Sequence, residues 1–219
     1  MDIGGQTRCQ AGYRVPALSG ENHGIRLGID FKNALSWLSL GPTHATAVEL
    51  GVPLELLPYQ TEVSVSTEVH EEETVAERHA RVRAEYYAAD LKRYAELQDI
   101  KLVADNSGVE STIALEGLMW GNQNGVGLEY AYSVFSRFWS GSMGLEDTQS
   151  IGEILTSLDA PGFEPAAMHE ELNTVRETLE AEGVFSVPMY VVEGQVFQGR
   201  EHLPMIRWLL AGEREPVPI

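Results

Sequence analysis

Apolar residues recur at every second position from Ile25 to Phe31, at 25, 27, 29 and 31. That is the period of a strand with one buried face. From Ala34 to Leu50 the pattern changes to that of a helix, with an interruption or kink expected at Gly41-Pro42, because proline cannot donate within a helix. Gly51 stands where a helix-terminating glycine belongs, and Val52 to Tyr59 reads as a second strand. Strand, helix, strand in this order predicts a parallel pair joined by a right-handed crossover.

A long, mostly helical stretch follows. Glu71 to Leu97 lacks glycine and proline and carries apolar residues at Val75, Val82, Tyr86, Ala89, Leu91, Tyr94 and Leu97. Glu77, Arg81, Glu85 and Arg93 are spread over its solvated side. Ser111 is a suitable N-cap for a helix through Trp120. Leu128 to Trp139 predicts another helix, with Ala131, Val134, Phe135 and Phe138 on its inner face. Asp147 to Leu158 and Glu164 to Glu182 complete the set, the latter closing at Gly183. The grammar then changes again. Met189 to Val192 and Gln195 to Phe197 read as strands around a Glu193-Gly194 turn, and Glu201 to Leu210 as a final amphipathic helix.

Composition narrows the classes of function. The 219-residue chain is 43% hydrophobic, enough to bury a core, and carries a formal charge of −18. Such acidity opposes general binding to nucleic acids and to anionic membranes. A single cysteine, Cys9, closes no internal disulfide and builds no cysteine-rich zinc site. Residues 1–24 lack the basic start and apolar run of a signal peptide and are expected to form a flexible leader. A soluble, cytoplasmic protein is the expectation. The six histidines show no metal-binding spacing, so no metal is expected, and Gly121 to Gly125 reads as a loop between helices.

The most specific run extends from Gly183 to Glu201: Gly183-Val184-Phe185-Ser186-Val187-Pro188-Met189-Tyr190-Val191-Val192-Glu193-Gly194-Gln195-Val196-Phe197-Gln198-Gly199-Arg200-Glu201. A proline directly before a strand either marks an edge or belongs to a cis bond. A cis bond would leave the N–H and C=O of Val187 free to pair with an extended peptide. This run resembles the carboxyl-terminal signature of the DsbA-like branch of the thioredoxin superfamily. It is most similar to 2-hydroxychromene-2-carboxylate isomerases and kappa-class glutathione transferases, whose pattern is G-V-F-G-V-P-T-F-V-V-D-G-x-L-F-x-G-x-D-R. The chain matches at Gly183, Val184, Phe185, Val187, Pro188, Val191, Val192, Gly194, Phe197 and Gly199, and departs at Ser186, Met189, Glu201 and His202.

The resemblance implies an α/β, thioredoxin-like fold (βαβ…ββα) with a large all-helical insertion. Residues 25–66 and 184–213 would form the thioredoxin-like domain and 67–183 the insertion. It implies a cis bond at Val187–Pro188 and recognition of glutathione's γ-glutamyl end at Arg200 and Glu201. Read without the family, Arg200-Glu201 is the solvated first turn of the last helix, where Glu201 complements the helix dipole. The family's other landmark, C-x-x-C in oxidoreductases and S-P-[YF]-S in the isomerases, falls on Asn33-Ala34-Leu35-Ser36. Asn33 takes the place of the reactive cysteine or thiol-contacting serine, and Ser36 keeps the second position. Thiolate attack is the chemistry of dithiol exchange, so that activity is not expected at this motif. The Asn33 amide either donates to a bound thiolate or simply caps the helix. The resemblance therefore implies a glutathione-dependent isomerase or transferase, possible as a homodimer, with glutathione as cosubstrate and a hydrophobic or aromatic electrophile as partner. The alternative is a catalytically degenerate binding protein of the same fold.

Overall fold

The computed structural model describes residues 24–62 and 74–213. The expected leader, with Cys9, lies outside them, as does the start of the long helix at Glu71. Alternation gives β1 (Ile25–Ile29), shorter than expected because Asp30 to Lys32 turn away into a helix. That helix, α1 (Ala34–Leu50), ends at Gly51 in the left-handed conformation, and β2 (Leu54–Pro58) follows. β1 and β2 run parallel, with Ile25 opposite Leu54 and Ile29 opposite Pro58.

The expected break at Gly41-Pro42 does not occur, and α1 is continuous through Pro42. A proline at 42 deprives the Leu38 carbonyl, one turn earlier, of its intrahelical donor. Nε2 of Gln98 supplies a hydrogen bond to that carbonyl at 3.0 Å.

Between β2 and the last strands come α2 (Val75–Leu97), α3 (Thr112–Gln123), α4 (Gly127–Trp139), α5 (Thr148–Ser157) and α6 (His169–Ala181). α2 opens with a full capping box, Thr74 and Glu77 each bonding the other's backbone N–H. Its expected inner face is not buried: Ala95 alone among its residues is, while Val75, Val82, Tyr86 and Leu97 stand open. Ser111 occupies the N-cap position of α3 but makes no capping bond; a carboxylate oxygen of Glu146 accepts from Ile113 N instead. Burial, reinforced by Glu110 and Glu116, raises the pKa of that carboxyl. α6 starts later than expected because Ala166 takes a positive φ. α3 and α4 pack closely enough that a Cβ at Gly117 would collide with the Tyr130 hydroxyl, which donates to Ala114 O at 2.8 Å.

The chain returns as β3 (Met189–Val192) and β4 (Gln195–Gln198), joined by Glu193 and Gly194, both at positive φ as a two-residue hairpin turn requires. A short 3-10 turn, Arg200–His202, leads into α7 (Leu203–Leu210). The sheet has the order β2-β1-β3-β4, with β3 antiparallel to both neighbours. Tyr190 reaches from one face to Thr43 of α1, hydroxyl to hydroxyl at 3.1 Å. On the other face Arg26, almost wholly buried, bridges Glu55 and Glu182 at the end of α6. One continuous core joins the sheet to the helices, Phe31 of the β1–α1 turn packing against Tyr130 and Phe135 of α4.

Candidate functional site at the end of the sheet

The last residues of β1, β2 and β4 and the first of β3 lie at one end of the sheet. Gly28 stands opposite Met189, so the register continues to Pro188 and Val187 beside the exit of β1. There the Val187–Pro188 bond is cis. Both residues are buried, and among the described residues neither the N–H nor the C=O of Val187 has a hydrogen-bond partner. The Pro188 carbonyl accepts from Gly199 N at 2.9 Å, which ties the turn after β4 to the cis bond. Met189, where the related families carry threonine, accepts the Phe185 N–H on its sulfur at 3.4 Å. The Phe185 ring is two-thirds exposed.

The turn into α1 is organised by Asp30, a fully buried carboxylate. Its Oδ2 accepts from Thr61 N at 2.8 Å and Thr61 Oγ1 at 2.6 Å, and its Oδ1 from Lys32 N at 3.3 Å. Its backbone carbonyl accepts from Asn33 N, and its N–H meets Ser36 Oγ at 3.4 Å. The Lys32 ammonium is almost as buried, 3.9 Å from Asp30 Oδ2 and without a hydrogen bond. Two donors from the helical region hold the same turn from outside: Trp139 Nε1 to Phe31 O at 3.1 Å, and Asn106 Nδ2 to Lys32 O at 2.9 Å.

Asn33 caps α1, its Oδ1 accepting from Ser36 N at 3.0 Å. The cap uses the amide oxygen alone, so the two N–H donors of Nδ2 are not spent on it. Ser36 is fully buried and turned toward Asp30, so its hydroxyl belongs to the foundation of the turn rather than to its open side. Leu35, between them, is 39% exposed.

Arg200 and Glu201 reach the same end of the sheet but play different parts. Arg200 is mostly buried and directed at α2: its Nη2 lies 3.0 Å from Asp90 Oδ2, and its guanidinium carbon sits 3.2 Å above the centre of the Tyr94 ring. Its Nη1 is buried without a partner. Glu201 is exposed, with its carboxylate folded over the Cα of Gly199, a residue at φ 84° whose missing Cβ makes the space. Sequence reasoning brings together Asn33, Val187, Pro188 and Glu201, but it does not foresee Asp30, Lys32, Thr61, Asn106 and Trp139. The available signal was Asp30 and Lys32 themselves, two charges flanking Phe31 where the strand leaves the core. Among the described residues no group of three or more His, Cys, Asp or Glu side chains is placed to hold a metal ion.

Comparison with protein-family models matches residues 53–211 to the DSBA-like thioredoxin domain. The chain belongs to that family. The fold is accordingly thioredoxin-like, a four-stranded mixed sheet with its helices. Among solved structures the chain is similar to a 2-hydroxychromene-2-carboxylate isomerase, at 16% identity and a TM-score of 0.61, over 85% of this chain and 94% of that one. It is also similar to the cytosolic disulfide reductase DsbM from Pseudomonas aeruginosa, at 15% identity and a TM-score of 0.55, over 87% of this chain and 98% of that one. The same reductase solved with GSH gives a TM-score of 0.56 at 15% identity, over 87% and 98% of the two chains. At these identities the likeness is one of fold. No curated protein matches the chain.

Proposed function

We propose that the protein is a glutathione-dependent isomerase or transferase acting on a hydrophobic, aromatic-type electrophile. The observation that carries this reading is the pair of Val187 backbone groups that have no partner among the described residues. They offer an extended thiol peptide the antiparallel ladder that a strand would offer. Laid there, the tripeptide directs its sulfur toward the first turn of α1, whose early N–H groups and Asn33 amide favour a thiolate. The Glu201 carboxylate, open to solvent, receives the γ-glutamyl ammonium. Arg200 contributes by fixing the turn that carries Glu201.

Asn33 in place of a cysteine leaves this turn without a nucleophile of its own, so the attacking sulfur comes from the ligand. Addition of that thiolate to the electrophile forms a carbon–sulfur bond. Rearrangement and release of the thiolate complete an isomerisation, whereas retention of the bond completes a transfer. The exposed side chains of Phe185 and Leu35 give the acceptor an apolar surface at the same end of the sheet. The fold neighbours support the choice of ligand and reaction, since one was solved with GSH and another is a 2-hydroxychromene-2-carboxylate isomerase. Dependence on glutathione assigns the protein to a reducing compartment, the cytoplasm.

Calorimetric titration of glutathione and of S-methylglutathione tests the reading. Both should bind at millimolar concentration or tighter, and Glu201→Gln should weaken both about tenfold, the scale of one hydrogen bond to a charged group. No heat and no thermal shift with either ligand would assign the fold to the degenerate binding role instead.

A further inference from the structure

α5 turns two faces in opposite directions. Ile151, Ile154 and Leu155 are buried in the core, while Gln149, Glu153, Thr156 and Ser157 stand open. The open face is not flat. With the loop that follows the helix it lines a groove of about 470 Å³, within the range of small-molecule sites. Gly152 opens this groove, because a Cβ there would meet nothing within 4 Å. Gly162, at a φ of 86°, turns the chain, and Phe163 then walls one side with a ring half-buried against the core. None of these residues belongs to the candidate site at the end of the sheet.

The polar groups of the groove are set to accept rather than to donate. Thr156 spends its hydroxyl hydrogen on Gly152 O at 2.8 Å, and Ser157 spends its own on Ile154 O at 2.7 Å. Each hydroxyl therefore turns only lone pairs outward. Gln149 donates to Glu153 Oε1 at 2.9 Å, which steadies the carboxylate. Charge points the same way. Among the described residues that line the groove there is no lysine or arginine. Residues 138–175 contain seven carboxylates and neither base, so the field here has one sign. We propose that this groove binds a small aliphatic amine, with its ammonium on Glu153 and its carbon chain along Phe163. An ammonium brings three donors and no acceptor, which complements this lining, and it is drawn to an aromatic face. An anion would meet lone pairs and a carboxylate, and a neutral polyol would leave Glu153 without a counter-charge. Glu153 and Ser157 stand one turn apart, about 6 Å along the helix, with the negative end of the α5 dipole at Ser157. A second ammonium is accommodated there, so a short alkane diamine suits the groove best.

Titration of the full chain with putrescine, followed through the backbone amide signals in NMR, tests the proposal. The signals of Gly152, Gly162 and Phe163 should move together and saturate, with a Kd of about 1 mM or tighter. Glu153→Gln should weaken binding at least tenfold, the loss expected when a charge-assisted hydrogen bond becomes a neutral one. Gly152→Leu keeps the carboxylate but fills the groove, and it should abolish the saturable shifts. That variant should retain its far-UV circular dichroism, since leucine is a better helix former than glycine and the position has room for a side chain. The matching butanediol should leave the same signals in place. Absence of saturable shifts up to about 20 mM putrescine overturns the proposal. Shifts that persist unchanged in Gly152→Leu overturn it as well, because the net charge alone would then be gathering the amine. Equal binding of the diol would assign the groove to neutral polyols and overturn it equally.

Discussion

Asp30 is the residue on which the candidate site rests, because three hydrogen bonds to its carboxylate fix the turn before α1 and one buried ammonium depends on it for charge. Replacing it by asparagine keeps the shape but leaves the buried Lys32 ammonium without its counter-charge. Removing one partner of a buried pair costs about 3–5 kcal/mol, whereas removing both can be close to neutral. Urea denaturation of Asp30→Asn should therefore show a loss in that range, and Asp30→Asn/Lys32→Met should recover most of it. Equal stability of the single and double variants would mean that the ammonium finds its partner elsewhere. Some of this residue-level chemistry is legible in sequence. Asn33 as a cap and Val187–Pro188 as a cis bond follow from residue type and from the family signature. The attachment of Arg200 to Asp90 and Tyr94 does not, because it joins positions more than a hundred residues apart that no local pattern links.

Among the elements, α1 shows how a sequence rule can hold while its usual consequence fails. Proline at position 42 does remove a hydrogen bond, but the deficit is met by Gln98 rather than by a break. Gln98→Leu should cost about 1–3 kcal/mol, the penalty of an unmet buried carbonyl. In a Pro42→Ala background the restored N–H can serve Leu38 itself, so the same change should cost less than half as much. Thermal denaturation of the four proteins of this cycle provides the comparison, and identical penalties in both backgrounds would refute the compensation. α2 teaches the converse. Its amphipathic period was readable, yet periodicity says that a face is apolar and not which surface covers it. The strands and their turns were readable to within a few residues, since alternation and the Glu193-Gly194 pair are local signals.

At the scale of the molecule, sheet and helices share one core, and the aromatic stack of Trp37 on Phe135, 5.2 Å between ring centres, joins α1 to α4. A single cooperative unfolding transition is expected, with far-UV circular dichroism and tryptophan fluorescence giving the same midpoint. Separated midpoints would show that the helical region melts independently. The polar bonds across this junction have a direction. Gln98, Asn106, Asn122 and Trp139, all from the helical region, donate to the carbonyls of Leu38, Lys32, Leu56 and Phe31 in the opening βαβ unit. Recombination that exchanged the helical segment with that of a relative would have to bring along four donors at matching positions, or leave four carbonyls dry and unanswered. Shuffled hybrids should therefore survive only where the incoming segment carries the same four donors.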